Sequence, residues 1–315
     1  MPGYSRDSLE QCQQELARFS SSIPISVAGE AVEAIPRLFA DLGIESPAAR
    51  FAVETALLDI VAQEKGVPLW ALLRGEGRGP PSPIALSSMI DATADAADRA
   101  RAASNRGIRT LKMKVGREGQ FERELETLQA LRDLPNMTKM TLRADANGAW
   151  TPREARGRIE QLRPLDLEFI EEPCARDGWV ELAGGGIPVA ADESLQRDDG
   201  VDFAVARAHE GACSVFVLKP SALGGALRCL HIAELAHRAG AKVLVTHMFE
   251  GPIAHAASVE LALALEPAPL ACGLDSSPYA SEWPRATLVR MTDCEAIPSA
   301  SIGMGITSHW MESVS

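Results

Sequence analysis

The chain has 315 residues, of which 46% are apolar and 23% are charged, and its formal net charge is −12. This composition is ordinary for a globular protein with one large domain, alone or with a smaller one, and excludes a wholly disordered, collagen-like or coiled-coil chain. The negative charge repels nucleic-acid phosphates and anionic lipids, so we expect no nucleic-acid or membrane partner. The sequence lacks an apolar signal segment and any apolar run long enough to span a membrane, which predicts a cytoplasmic protein. Oligomerisation is left open.

The first eighty residues are predicted to be mainly helical. Residues 51–65 carry apolar side chains at helical spacing, and Gly66 and Pro68 follow in the order that ends a helix. The stretch 74–83 is rich in glycine and proline and predicts a linker. We therefore expect a small, largely helical domain over residues 1–80, with a C-terminal tail of about 280–315 packed against it, and a larger domain over residues 84–279.

After residue 83, short apolar runs alternate with amphipathic stretches of helical length. One of these stretches begins with Thr151-Pro152-Arg153-Glu154, which is typical of a capping box with proline at the first helical position. Alternating strands and helices predict a parallel α/β fold, and eight strands indicate a (β/α)8 TIM barrel, with an open doubly wound sheet as the alternative. The eight strand candidates are 84–90, 110–115, 140–144, 167–170, 188–191, 214–218, 242–246 and 270–274.

Charged side chains stand on five consecutive strand candidates. In residues 110–115, strand alternation turns the apolar residues outward to the helices and turns Lys112 and Lys114 into the barrel. The functional groups of such barrels lie where strands end and loops begin, so we expect these lysines to meet the residues that end the next four strands. Those residues are Asp145, Glu171, Asp192 and Lys219.

Three carboxylates on adjacent strand ends repel one another unless a cation lies between them. Oxygen ligands of this kind favour a hard divalent ion, and Mg²⁺ fits best. A lysine that is partly withdrawn from water beside such an ion has a lowered pKa and can act as a base. The pattern therefore predicts removal of the proton α to the carboxylate of a small-molecule substrate, with the metal stabilising the added negative charge.

Other polar residues near the strand ends are candidates for substrate binding. Glu193 lies beside a proposed metal ligand and is favoured over Glu172, which has an equivalent position one strand earlier. His247 and Glu250 follow the seventh strand candidate. They are expected either to contact the substrate or to cap the helix that begins near residues 251–252.

The ordered set of motifs resembles the enolase superfamily, in its muconate-lactonizing subgroup. The resemblance extends over nearly the whole chain and implies a modified, enolase-like barrel with a smaller α+β capping domain. It implies one Mg²⁺ bound by the three carboxylates and a general base at Lys114 supported by Lys112. It also implies that Lys219 stabilises the enediolate or acts as the acid/base on the opposite face of the substrate. The matching motifs are Lys112-Met113-Lys114, Asp145-Ala146-Asn147, Glu171-Glu172-Pro173, Asp192-Glu193-Ser194 and Lys219-Pro220.

Within the subgroup, several stretches resemble the o-succinylbenzoate synthases. This resemblance implies a lyase of menaquinone biosynthesis that removes a proton α to a carboxylate and then eliminates water. Asn147 and Asp275 join the substrate-binding candidates, although residues 273–275 lack the first aspartate of the Asp-x-Asp pair with which dipeptide epimerases hold an ammonium group. The stretches that carry this resemblance are residues 1–5, 171–174, 219–225 and 249–252.

Two alternatives remain open at this point. The chain could be an N-acylamino acid racemase or dipeptide epimerase of the same superfamily, or an inactive member that binds a carboxylate ligand. The family's capping domain begins with a small antiparallel sheet, whereas only 83 residues precede the first strand candidate here. We therefore expect roughly the first 30–50 residues of that domain, including part of the lid over the substrate, to be absent.

Overall fold

Helices dominate the part of the chain before the first strand. The computed structural model describes residues 6–21, 31–135, 139–275 and 290–306, so the motif at residues 1–5 and most of the tail lie outside the described residues. The predicted helix end is confirmed, because Gly66 has a left-handed φ of 67° and its N–H bonds to carbonyls of the last turn. No helix of the described part is both long and apolar enough to cross a membrane. The helices here are α1 (Leu9–Ser21), α2 (Ala31–Leu42), α3 (Pro47–Lys65) and α4 (Leu69–Arg74).

Seven parallel strands follow one another around a curled sheet in chain order. They are β2 (Ser87–Ile90), β3 (Thr110–Lys114), β4 (Thr141–Asp145), β5 (Ile170–Glu171), β6 (Val189–Ala191), β7 (Val215–Leu218) and β8 (Lys242–Val245). The helices around them are α5 (Ala96–Asn105), α6 (Phe121–Asp133), α7 (Pro152–Leu162), α8 (Gly200–His209), α9 (Pro220–Leu223), α10 (Ala226–Arg238) and α11 (Pro252–Ala264). Alternation of strand and helix confirms the predicted barrel class.

The eighth predicted strand closes the sheet without forming a regular strand. Cys272 bridges to Leu86 beside β2, and Gly273 bridges to Thr246 beside β8. A β-carbon on Gly273 would lie only 2.6 Å from Thr246 Oγ1, so glycine permits this close approach. The barrel is therefore closed by two single bridges at this position, where the sequence predicted a full strand.

The first predicted strand, 84–90, is divided between two sheets. Its first two residues form β1 (Ile84–Ala85), which pairs antiparallel with β10 (Glu295–Ile297). β10 pairs in turn with β9 (Arg290–Met291), so this small sheet lies outside the barrel. The rest of the predicted strand is β2, which enters the barrel.

The barrel has an apolar interior that supports the site from below. Phe169, Val215, Val217 and Leu244 form a small buried cluster, separate from the larger core between the barrel and the helices. The guanidinium of Arg143 stacks 4.7 Å from the centre of the Phe169 ring. The interior is thus filled by side chains, as expected for a barrel of this size.

Buried carboxylates join the N-terminal helices to the barrel. Glu54 of α3 accepts hydrogen bonds from the N–H groups of Ala226 and Leu227, at the start of α10. Glu260 of α11 accepts a hydrogen bond of 2.7 Å from the N–H of Trp70 in α4. Each carboxylate satisfies helix N–H groups that have no partner within their own helix, so the contact also fixes how the helices meet.

Candidate active site

Strand β3 directs its lysines into a cavity and its apolar residues into the core. Leu111 and Met113 are buried among the helices, whereas Lys112 and Lys114 line a cavity of about 810 Å³ at the barrel mouth. This is the arrangement that the two-residue period of the strand predicts. Lys219 enters the same cavity from the residue that follows β7.

The register of the sheet aligns charged residues in a row across three strands. Lys114 lies opposite Asp145 at the end of β4, and Asp145 lies opposite Glu171 at the end of β5. Asp192 follows β6 directly, so its carboxylate continues the same edge of the barrel. The structure therefore brings the predicted lysines and carboxylates to one end of the barrel.

The two inner lysines form ion pairs with the three carboxylates. Lys112 Nζ donates to Asp145 Oδ2 at 3.1 Å and to Glu171 Oε2 at 2.8 Å. Lys219 Nζ donates to Asp192 Oδ2 at 2.5 Å. All three carboxylates are buried, so each loses its hydration and depends on a positive charge nearby.

Burial and attraction to opposite charges shift the pKa values of these groups in opposite directions. Burial lowers the pKa of Lys112, but attraction to the three carboxylates outweighs it, and the pKa is raised. The pKa of Lys219 is raised for the same reason, chiefly by Asp192. Burial raises the pKa of Glu171 to about 8, and repulsion from the two aspartates adds to this effect against the attraction of Lys112. The lowered lysine pKa expected beside a bound cation stays a prediction.

The chemistry of the carboxylate donors suits a hard divalent cation. Within the described ranges, no three His, Cys, Asp or Glu side chains form a group that could hold a metal ion. Instead, the ammonium of Lys112 bridges Asp145 and Glu171, and that of Lys219 contacts Asp192. These buried carboxylate oxygens bind ammonium groups, and Mg²⁺ prefers oxygen ligands of this kind. The predicted ligand residues fit the predicted ion in their chemistry.

Asn147 and Glu193 meet at the wall of the cavity. Asn147 has a left-handed φ of 45°, and its Nδ2 donates to Glu193 Oε1 at 3.0 Å. Burial, followed by repulsion from Asp192, raises the pKa of Glu193. Glu172 does not face the cavity: it accepts hydrogen bonds from the N–H groups of Asp192 and Ser194, both at 2.8 Å. Glu172 therefore fixes the segment that carries the third carboxylate.

His247 and Glu250 have different surroundings. His247 lines the cavity, and its Nδ1 accepts a hydrogen bond of 3.0 Å from the N–H of Phe249. Glu250 accepts hydrogen bonds from the hydroxyl of Ser221 and, at 2.6 Å, from the N–H of Met248. Glu250 thus ties the loop after β8 to the segment after Lys219, and it is not among the residues that line the cavity.

Asp275 lines the cavity beside an arginine that the sequence did not single out. Arg106 binds Asp275 through both guanidinium ends, at 3.0 and 2.5 Å, and the hydroxyl of Ser88 donates to the same carboxylate at 2.8 Å. Arg106 follows α5, and no pattern in the sequence links it to a residue 169 positions away.

Arg143 is a second inward residue that sequence reasoning missed. Its Nε donates to Glu168 at 2.6 Å and its Nη1 donates to the carbonyl of Ala271 at 2.7 Å, inside the barrel. The period of β4 places Arg143 and Asp145 on one face, so alternation could have identified it.

A family model for enolase C-terminal domain-like proteins matches residues 95–312. The chain is 36% identical to the o-succinylbenzoate synthase of Thermobifida fusca over 202 residues, which cover 62% of this chain and 62% of that protein. It is 33% identical to the L-Lys-D/L-Arg epimerase of Methylococcus capsulatus over 258 residues, covering 79% of this chain and 70% of that protein. The first curated relatives are matched over only 56% to 62% of their own length.

Solved structures show the same architecture. The muconate lactonizing enzyme of Pseudomonas putida superposes with a TM-score of 0.80 and 25% sequence identity, over 97% of this chain and 85% of that chain. The dipeptide epimerase of Enterococcus faecalis superposes with a TM-score of 0.80 and 25% identity, over 96% of this chain and 86% of that chain.

Proposed function

The chain belongs to the enolase C-terminal domain-like family, as its motifs predicted, and from this premise we propose that it removes the proton α to the carboxylate of a small-molecule substrate. The observation that carries the proposal is the cavity into which Lys112 and Lys114 enter from β3 and Lys219 from β7. The lysines approach from different strands, so a bound substrate has a basic side chain on more than one side. Buried carboxylates hold Lys112 and Lys219 in place.

Each lysine has a distinct role in this proposal. Lys114 takes the α-proton, because it lies opposite Asp145 in the sheet register and lines the cavity. Lys219 provides a positive charge against the negative charge that develops on the substrate carboxylate. Lys112, bound to Asp145 and Glu171, supports Lys114 from the same face of β3.

Asp145, Glu171 and Asp192 are the residues that would hold Mg²⁺. When bound, the ion supplies further positive charge beside the substrate carboxylate. The remaining residues position and shield the reaction. Asn147 and Glu193 are hydrogen-bonded to each other at the cavity wall, and a hydrogen bond from the N–H of Phe249 holds His247.

We assign the reaction to a lyase of the o-succinylbenzoate synthase type. The substrate in this assignment is 2-succinyl-6-hydroxy-2,4-cyclohexadiene-1-carboxylate. Lys114 accepts the proton from the ring carbon that bears the carboxylate, the electron pair forms a ring double bond, and the C–O bond to the hydroxyl breaks. The hydroxyl leaves as water after receiving a proton from a lysine, and the ring becomes aromatic. The assignment is supported by two curated relatives with this name, at 36% and 35% identity.

A second candidate reaction is racemisation or epimerisation at an amino-acid α-carbon. It is favoured by the placement of Lys114 and Lys219 on separate strands, since one lysine could remove the proton and the other return it from the opposite face. Epimerases are also among the relatives, including one that is 33% identical over 79% of this chain. Incubation with N-acylamino acids in deuterium oxide would show this reaction as exchange of the α-hydrogen.

The test of the lyase is an ultraviolet assay that follows loss of the diene absorbance with Mg²⁺ present and with a chelator. We expect Lys114→Ala to lower kcat by at least about 10³-fold, since general-base catalysis contributes effects of this size. Lys242→Ala is the matched control, because Lys242 is an exposed lysine at the start of β8, at the end of the barrel opposite the cavity. Turnover by Lys114→Ala at the rate of the control would refute the assigned base, and no turnover by the unaltered chain would refute the lyase.

A further inference from the structure

Glu172 forms hydrogen bonds to the loops on both sides of its own strand. Its carbonyl accepts a hydrogen bond of 2.6 Å from the N–H of Gly148, in the loop after β4. Its carboxylate accepts hydrogen bonds from the N–H groups of Asp192 and Ser194 and from the hydroxyl of Ser194, all three at 2.8 Å. Because Glu172 itself follows β5, one residue joins the ends of three consecutive strands.

The same three strand ends carry the carboxylates assigned above to Mg²⁺. Asp145 ends β4, Glu171 ends β5, and Asp192 follows β6. In the loop after β4, the N–H of Asn147 donates to Asp145 Oδ1 at 3.1 Å, so this loop also orients the carboxylate that precedes it. The hydrogen bonds of Glu172 therefore reach the backbone beside each of the three carboxylates.

Glu172 is buried away from the substrate cavity and has an unfavourable backbone conformation. It is only 4% exposed, and it is not among the residues that line the cavity with the lysines. Its φ of 41° lies in the left-handed region, which few side chains other than asparagine and aspartate adopt. Such a conformation persists only where the surrounding structure imposes it. The hydrogen bonds to the loops on both sides provide this constraint.

We propose that Glu172 is a positioning residue that sets the spacing of the three carboxylates and thereby the affinity of the site for Mg²⁺. This role rests on the proposed function, in which Asp145, Glu171 and Asp192 hold the ion. Like charges at one edge of the barrel repel one another, so hydrogen bonds between their loops keep the oxygens close enough to share one ion. Removal of a group that orients metal ligands in this way typically weakens metal binding by about 10-fold to 100-fold.

Two substitutions at Glu172 separate the effect of its hydrogen bonds from that of its charge. Both N–H bonds end on Oε1, so in Glu172→Gln the amide oxygen can accept them while the amide nitrogen donates to the Ser194 hydroxyl. Glu172→Leu has a similar volume, but both N–H groups lose this acceptor. Glu260→Leu is the matched control, because Glu260 is another buried glutamate that accepts a backbone N–H, from Trp70, and is not among the residues that line the cavity.

Binding of Mg²⁺ is measured by isothermal titration calorimetry, and circular dichroism shows whether each variant is folded. We expect Glu172→Leu to bind Mg²⁺ about 10-fold to 100-fold more weakly than the unaltered chain, and Glu172→Gln to remain within about twofold of it. Glu260→Leu should bind Mg²⁺ as the unaltered chain does. Equal affinity in Glu172→Leu and Glu260→Leu would overturn the proposal. Equal loss in Glu172→Gln and Glu172→Leu would assign the effect to charge and would also overturn it.

Ser194→Ala replaces Glu172→Leu in this comparison if the leucine variant does not fold. It removes the hydrogen bond from the hydroxyl and keeps both N–H bonds to Glu172. We expect Ser194→Ala to bind Mg²⁺ about threefold to tenfold more weakly, which corresponds to the net contribution of one hydrogen bond. Affinity equal to that of the unaltered chain would overturn the proposal.

The same measurements separate the role of Glu172 from the proposed function. Weaker Mg²⁺ binding by Asp192→Asn, together with unchanged binding by Glu172→Leu, would uphold the assigned ligands and reject the positioning role. Unchanged binding by Asp192→Asn would reject the assigned ligands and the positioning role together. The expected order of affinities, in a chain that does not consume the cyclohexadiene substrate, would uphold the positioning role and reject the lyase.

Discussion

Gly225 shows how one residue can fix the contact between two parts of the chain. Its backbone has a φ of 123°, and a β-carbon there would collide with the carboxylate of Glu54. Other residues avoid this backbone region, and the side chain would also displace the acceptor of the Ala226 N–H. We predict that Gly225→Ala lowers the free energy of unfolding by about 3–5 kcal/mol, measured by urea denaturation.

Gly211→Ala is the control for Gly225→Ala. Gly211 also has a positive φ, of 72°, but nothing lies within 4 Å of the position of its β-carbon. In this variant the free energy of unfolding should fall by only about 1–2 kcal/mol, which is the cost of placing a β-carbon on a backbone with positive φ. Equal losses in the two variants would show that the contact with Glu54 contributes nothing.

At the level of single residues, the sequence predicted which face a side chain takes better than it predicted which residue that side chain contacts. Alternation in β3 was sufficient to place Lys112 and Lys114 in the cavity, because strand geometry alone decides the face. It could not pair Asp275 with Arg106, since that contact depends on how the loop after α5 meets the closing segment of the barrel. Long-range ion pairs of this kind leave no local pattern.

The capping box of α7 was predicted from four residues and is present in full. Thr151 Oγ1 accepts from the N–H of Glu154, and the Glu154 carboxylate accepts from the N–H of Thr151 at 2.9 Å. We predict that Thr151→Ala lowers the free energy of unfolding by about 1 kcal/mol. Thr127→Ala is the control, because the Thr127 hydroxyl bonds to the carbonyl of Arg123 within α6 and caps no helix end. A smaller loss in Thr151→Ala than in the control would contradict this role.

Glycine sets the start of the helix that follows β7. The amphipathic stretch from Gly224 to Ala239 predicts a helix, and the structure has α10 over Ala226–Arg238, preceded by the short α9 and two glycines. The short α9 is terminated by Gly224 with a φ of 93°, which starts the turn toward Glu54. A terminating glycine and an initiating one look alike in sequence, so the break depends on tertiary contacts.

The stability of the whole molecule should fall as pH rises through neutrality. Burial raises the pKa of Glu54, Glu172 and Glu260 to about 7 from an ordinary 4.5. Between these values the folded chain binds more protons than the unfolded chain, so the free energy of unfolding decreases with rising pH. Each group alone contributes a decrease on the order of 2–3 kcal/mol between about pH 5 and pH 8.

The pH prediction is tested by denaturation of Glu54→Gln at several pH values. The amide cannot ionise, so we expect this variant to lose less stability than the unaltered chain as pH rises over this window. Glu64→Gln, at an exposed position on the same helix, should follow the unaltered chain. The same slope in all three proteins would exclude Glu54 as a source of the dependence.

The alternation of β3 has a consequence for how this chain can change over evolutionary time. Deleting or inserting one residue within β3 would turn Leu111 and Met113 into the cavity and drive Lys112 and Lys114 into the apolar core. Such a change would destroy the folded state together with the reaction. Selection for a folded chain therefore removes insertions and deletions in β3, and the two lysines keep their positions. The loops after the strands, including the loop after β8 that carries His247, escape this constraint. Length variation should therefore alter which substrates are accepted long before it alters the chemistry performed on them.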